Sequence, residues 1–202
     1  MQNLHKKALF LSYFTVAYNV LEGLCAVVFG VVAGSIALIG FGIDSFVESL
    51  SGSIMIWRFR KHENLSKEDE ERIEKKAIKL VGYSFFVLGA YVLFESVKKL
   101  YLQEHPEQSL AGIIIALLSL LIMPVLFYLK YQTGKALNSK GLVADSKQTL
   151  ACVMMSVALL LGLGLNYLYG IWWLDPIVGI VIAVLLFKEG REAVAEAKLC
   201  SC

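Results

Sequence analysis

Charged residues are scarce in this sequence, 18% against 57% hydrophobic, and the mean hydropathy is +0.66. That balance excludes an ordinary soluble domain and points to an integral membrane protein. Histidine is scarcer still: His5, His62 and His105 all lie in polar segments, so no apolar run carries an imidazole. A nucleophile inside the membrane would lack its usual base, which argues against an intramembrane hydrolase, and no enzymatic activity is expected. Of the four cysteines, Cys25 and Cys152 fall in apolar runs and Cys200 and Cys202 in a polar tail. None is placed for a secreted disulfide framework, and all four are expected to be thiols.

What the sequence has in abundance is apolar length. A helix needs about 20 residues to cross ~30 Å of hydrocarbon. Six such spans are predicted, Ala8 to Val32, Ser35 to Arg58, Ala77 to Val97, Ser109 to Tyr131, Gly141 to Leu165 and Trp172 to Lys188, in a single domain covering the chain. The first resembles a secretory signal, with Lys6 and Lys7 before it, but it is longer than a signal core and carries Asn19 and Glu22, so a retained helix is expected. Lysine and arginine concentrate in the N-terminus, the second and fourth loops (Lys130 being assigned to the latter) and the tail, whereas the opposite side holds only Lys98 and Lys99. The positive-inside rule then puts both termini in the cytoplasm of a multi-pass protein of the plasma (inner) membrane. With the basic residues claimed by topology and a net charge of only +2, no face is left for nucleic acid.

Between the spans, Gly30 and Gly34 either allow close helix approach or permit a tight turn, and both readings stay open. Ser66 with Asp69 resembles a capping box that starts the third helix in the cytoplasm. Pro124 should kink the fourth span, Trp57, Trp172 and Trp173 are placed as interface anchors, and Glu95 should pair with Lys98 or Lys99.

The chemistry is concentrated in the second and fifth spans. Asp44 and Glu48 stand inside an otherwise apolar stretch, where each carboxylate costs about 2.5 to 3.5 kcal/mol on insertion scales. Their i,i+4 spacing sets the Cβ atoms roughly 5 to 6 Å apart on one face, close enough for one cation to bridge. In the fifth span Asp145, Gln148 and Cys152 share a face. Antiparallel packing would bring Asp44 level with Cys152 and Glu48 level with Gln148, with Asp145 one turn nearer the cytoplasm and Glu22 of the first span at similar depth. Carboxylates with a thiol suit a borderline-soft divalent ion such as zinc better than magnesium or calcium. The plain alternatives are that Cys152 is a small core residue, that Gln148 bonds across helices, and that Asp145 pairs with Lys147 or forms an inner gate.

GFGIDSFVES in the second span, ADSKQTLACVMMS in the fifth and WLDPIVGIVIAVLLFKEG at the sixth resemble the transmembrane domain of the cation diffusion facilitator family. The resemblance implies an all-α, six-helix membrane bundle that exports a divalent metal in exchange for protons, mostly as a homodimer. It assigns the helix-two ligand positions to Asp44 and Glu48, and the helix-five positions to Gln148 and Cys152, where zinc members usually have His and Asp. Zinc is the expected cargo, with cadmium, cobalt, iron and manganese as alternatives, and no other cofactor is expected. Glu22 and Asp145 are expected to supply the charge that the missing histidine does not. The family's usual soluble domain has no counterpart after the sixth span, so a member reduced to its membrane domain is expected, with Cys200 and Cys202 in its tail. His62, Glu63 and Asp69 are expected to be a solvated loop rather than an accessory metal site. A membrane metal sensor or assembly subunit that binds without transport is the alternative function.

Overall fold

The computed structural model describes residues 2–60, 67–104 and 106–199. Ser66, His62, Glu63, His105, Cys200 and Cys202 lie outside the described residues, as does the side chain of Asp69. The described chain forms six helices, α1 (Gln2–Ala33), α2 (Ile36–Arg60), α3 (Lys67–Leu102), α4 (Leu110–Ala136), α5 (Lys140–Tyr169) and α6 (Leu174–Leu199), and among these residues there is no strand. The predicted all-α bundle is thus the observed one. Among the described residues, four helices are long and apolar enough to cross a membrane: α1 from Leu4, α2, α4, and α5 from Gly141. The expected sixth span is not among them. Asp175 stands in the first turn of α6 and Lys188, Glu189 and Arg191 interrupt it later, so the apolar run over 176–187 falls short of the ~20 residues a lone span needs. The expected third span is not among them either, and part of the α3 side chains lies outside the described set.

Boundaries also moved. Helix α6 starts after the two tryptophans, which sit in the turn before it, and runs on to Leu199 rather than ending at Lys188. Helix α4 continues unbroken through Pro124 and past Tyr131 to Ala136, so Lys130, expected with the basic residues of the fourth loop although at the edge of the predicted span, lies more than a turn inside the helix. Serine caps start both central helices: Gly112 N donates to Ser109 Oγ (3.1 Å) at α4, and Leu142 N to Ser139 Oγ (3.4 Å) at α5.

The helices pack chiefly in pairs, α1 on α2, α3 on α6 and α4 on α5, and α2 joins the pairs by also touching α3, α5 and α6. Close approach of α1 and α2 depends on missing side chains. A Cβ on Gly23 would fall 2.7 Å from the Gly42 carbonyl oxygen, and one on Gly30 2.8 Å from Ile39 Cγ1. Gly34 instead makes the turn, at φ +62°, so the two readings of the glycine pair hold one each. Large apolar side chains such as Phe10, Leu24, Val87, Phe94, Leu121 and Leu161 face outward, the surface that a bilayer would cover. The central position of α2 is what buries Asp44, Ser45, Glu48 and Ser49.

Candidate metal site and its lysine

Each predicted carboxylate is inside the bundle: Glu22 6% exposed, Asp44 2%, Glu48 0% and Asp145 2%, with the Cys152 thiol at 0%. Their partners differ. On α1, Glu22 is a satisfied carboxylate, since Tyr18 Oη donates to its Oε1 (2.9 Å) and Ser45 Oγ lies 3.1 Å from its Oε2. Asp44, one turn before Glu48 on α2, takes part in no hydrogen bond or ion pair among the described residues, yet lies within electrostatic range of Glu48, Glu22 and Glu189. Cys152 on α5 lies within range of Glu48, Glu22 and Asp44. These groups therefore do converge from α1, α2 and α5 on one region. They do not close on a point, however, and among the described residues no three His, Cys, Asp or Glu side chains are placed to hold a metal ion.

The residue missed by sequence reasoning is Lys130. Assigned to a cytoplasmic loop, it is fully buried, its ammonium 2.8 Å from Asp145 Oδ2 and 3.6 Å from Glu48 Oε1. It also donates to Thr149 Oγ1 (2.9 Å), and that hydroxyl in turn donates to Glu48 Oε1 (2.5 Å). Asp145 Oδ1 accepts from Ser51 Oγ at 2.9 Å. So Asp145 pairs with Lys130 on α4. A buried charge so placed must be paired, because one charge stranded in a low-dielectric interior costs several kcal/mol. The signal available in the sequence was the reverse of this requirement: Asp145 and Glu48 inside apolar helices each need a cation, and Lys130 is the basic residue nearest the α4 apolar run.

The expected antiparallel register between α2 and α5 is kept, with Ser51 level with Asp145, but the α5 side chain that reaches Glu48 differs from expectation. Glu48 is hydrogen-bonded by Thr149 rather than by its neighbour Gln148. Gln148 is only partly buried and its Nε2 has no hydrogen-bond partner. It lines a cavity of about 60 Å³ with Ser51, Asp145, Lys147, Glu189 and Glu192, among others, at the end of the bundle where α2 finishes and α5 begins. By the distribution of basic residues this is the cytoplasmic end. Deeper in, Glu48 Oε2 and both amide atoms of Asn19 are buried with no hydrogen-bond partner. Asn19 of α1 adjoins Glu48, its amide near the carboxylate but short of hydrogen-bond geometry.

The opposite end of α2 is tied down. Asp175, in the first turn of α6, accepts from Ile36 N (3.0 Å) and from the Ser35 hydroxyl, and Lys99 of α3 donates to the Gly34 carbonyl. The expected partner of Glu95 is Lys98, at 3.2 Å. Cys25 is exposed and Cys152 buried, both as free thiols.

Against known proteins, the chain is 26% identical over 190 residues to Transmembrane protein 163 of Xenopus laevis, covering 94% of this chain and 66% of that protein. It is 28% identical over 174 residues to an uncharacterized transporter of Methanocaldococcus jannaschii (84% and 61%) and 20% identical over 199 residues to a cadmium, cobalt and zinc/H(+)-K(+) antiporter of Bacillus subtilis (96% and 62%). It thus spans roughly two-thirds or less of the length of these relatives. The model of the cation efflux transmembrane domain matches residues 12–199, nearly the whole bundle with its acidic α2 and α5, and the chain is therefore a multi-pass integral membrane protein that belongs to the cation efflux family.

Proposed function

We propose that this chain forms the membrane domain of a secondary transporter that exports a divalent transition metal, zinc before others, in exchange for protons. The observation that carries the reading is Asp44: a buried carboxylate with no hydrogen bond or ion pair among the described residues, one helical turn from Glu48, whose Oε2 is also unpartnered, and within electrostatic range of a buried thiol. Free anionic oxygens in an apolar bundle call for a cation. Asp44, Glu48 and Cys152, which share one region without closing on a point, would draw together around it, a set suited to a borderline-soft ion. Glu22, with both oxygens occupied by hydroxyls, would set the local charge rather than ligate. The cavity lined by Asp145, Gln148 and Glu189 would admit metal from the cytoplasm.

Metal and protons compete for the same oxygens and sulfur, so binding releases protons and is weakened as pH falls. An outside-acid gradient would then favour release outside and drive export. The relatives named as cadmium, cobalt and zinc antiporters support the cargo class, and the family resemblance supports a homodimer. No bond-making chemistry is assigned to the site.

Purified protein in liposomes with a trapped metal dye and a trapped pH dye tests this. Zinc flux with opposite proton movement is expected. Zinc binding without flux would favour the second reading, a metal-binding subunit that does not transport. One observation speaks for that reading: Lys130 already neutralises part of the acidic cluster.

A further inference from the structure

We propose that Lys130 is a tethered cation that competes with the transported metal for Glu48, so that metal occupies the site between α2 and α5 only when the ammonium withdraws toward Asp145. The inference rests on the proposed transport site and adds the residue that sets how tightly that site holds its cargo.

Lys130 reaches the cluster from α4, a helix that supplies none of the proposed ligands. It has two carboxylate berths, Asp145 at 2.8 Å and Glu48 at 3.6 Å, with the Thr149 hydroxyl held between it and Glu48. The nearer berth stands toward the cavity and the farther one toward the site. A divalent ion entering beside Asp44, Glu48 and Cys152 would meet this positive charge across a few ångströms of low-dielectric interior, where repulsion is only weakly screened. A lysine stem has four rotatable bonds and the ammonium is a point charge without a fixed bonding plane, so a short swing from one carboxylate to the other needs no helix movement. While the ammonium leans on Glu48, the empty site keeps less uncompensated negative charge, which lets the unloaded bundle reorient. When metal arrives, the ammonium remains charged and keeps Asp145 as its partner. The lysine would thus loosen the hold on metal and speed its release.

Zinc titration of the purified full chain at one fixed pH tests the competition. Lys130→Met should tighten zinc binding by on the order of tenfold or more, because a repelling charge is gone. Lys130→Arg, which keeps the charge, should stay within about threefold of the parent by the same electrostatic argument. Turnover at saturating zinc should fall in Lys130→Met as release slows. If that variant fails to fold, Lys130→Met with Asp145→Asn removes one charge of each sign and should still bind more tightly than the parent. Binding equal to or weaker than the parent in the neutral variant that folds would overturn the competition while leaving the transport site in place. No zinc binding by the parent and the neutral variants alike would remove the proposed function, and the competition with it.

Discussion

At one end of α2, Asp175, Ser35 and Lys99 leave the backbone groups of the α1–α2 turn well partnered; from its middle toward the other end, among the described residues, Glu48 Oε2, both amide atoms of Asn19 and, at a polar cavity, Gln148 Nε2 are left without hydrogen bonds. The two ends carry similar residue types, carboxylates with a lysine. What separates them is closure. At the first end the acid caps a helix start, where the dipole and free N–H groups favour a negative charge. Toward the second, the buried Asp44, Glu48 and Asp145 outnumber the buried Lys130, and Asp44 and Glu48 lie within electrostatic range of each other. A bundle sealed at one end and open at the other is suited to taking up a cation from the open side.

The sharpest way to break this contrast is to remove the unpartnered acid. Asp44→Ala should lower zinc flux by on the order of a hundredfold or more while the protein stays folded, since the change also removes a charge that is costly to bury. Flux assays on liposomes together with thermal unfolding in detergent check both halves. Retained flux would mean that the open oxygens are not the cargo site.

Asp175→Ala should do the opposite, acting on the fold more than on binding. It leaves Ile36 N and the Ser35 hydroxyl without their acceptor, a loss of about 1 to 3 kcal/mol for buried donors. A lower unfolding temperature with zinc affinity near that of the parent is expected. A more stable protein would show that the tie is strained rather than restful.

Much of this contrast was legible in the sequence, but unevenly. Six helices follow from apolar length, and the interior position of Asp44 and Glu48 follows from the cost of carboxylates in an apolar run. Lys130 was hidden because a lysine near the end of a span reads equally well as a topology signal, and only the three-dimensional need of Asp145 for a cation decides the matter. Asp175 was hidden for a similar reason: its partner, the start of α2, is 139 residues away in sequence. Helix counting placed α5 against α2 in the register that the Ser51–Asp145 hydrogen bond keeps, yet neighbouring positions point about 100° apart, and it is Thr149 rather than Gln148 that reaches Glu48.

Cys152 offers a smaller and more selective effect. If the thiol is a ligand, Cys152→Asp should keep transport and shift preference from cadmium toward manganese, whereas Cys152→Ala should weaken binding of each metal. Competition titrations with zinc, cadmium and manganese read this directly. Unchanged relative affinities in all three proteins would make Cys152 a core residue that merely adjoins the carboxylates.

The smallest expected effect separates two adjacent residues. Thr149 accepts from Lys130 and donates to Glu48, so Thr149→Val, close in shape, removes one buried hydrogen bond from each partner and should cost roughly 1 to 3 kcal/mol in stability. Gln148 faces the cavity with an unpartnered amide nitrogen, so Gln148→Ala should stay within about 0.5 kcal/mol of the parent, as substitutions away from buried networks usually do. Chemical unfolding of the two variants side by side, with zinc affinity measured on each, places the register. If Gln148→Ala proves the costlier change and also weakens zinc binding, then the loaded site uses Gln148. Helix α5 would then have to turn by about one residue, roughly 100°, when metal binds.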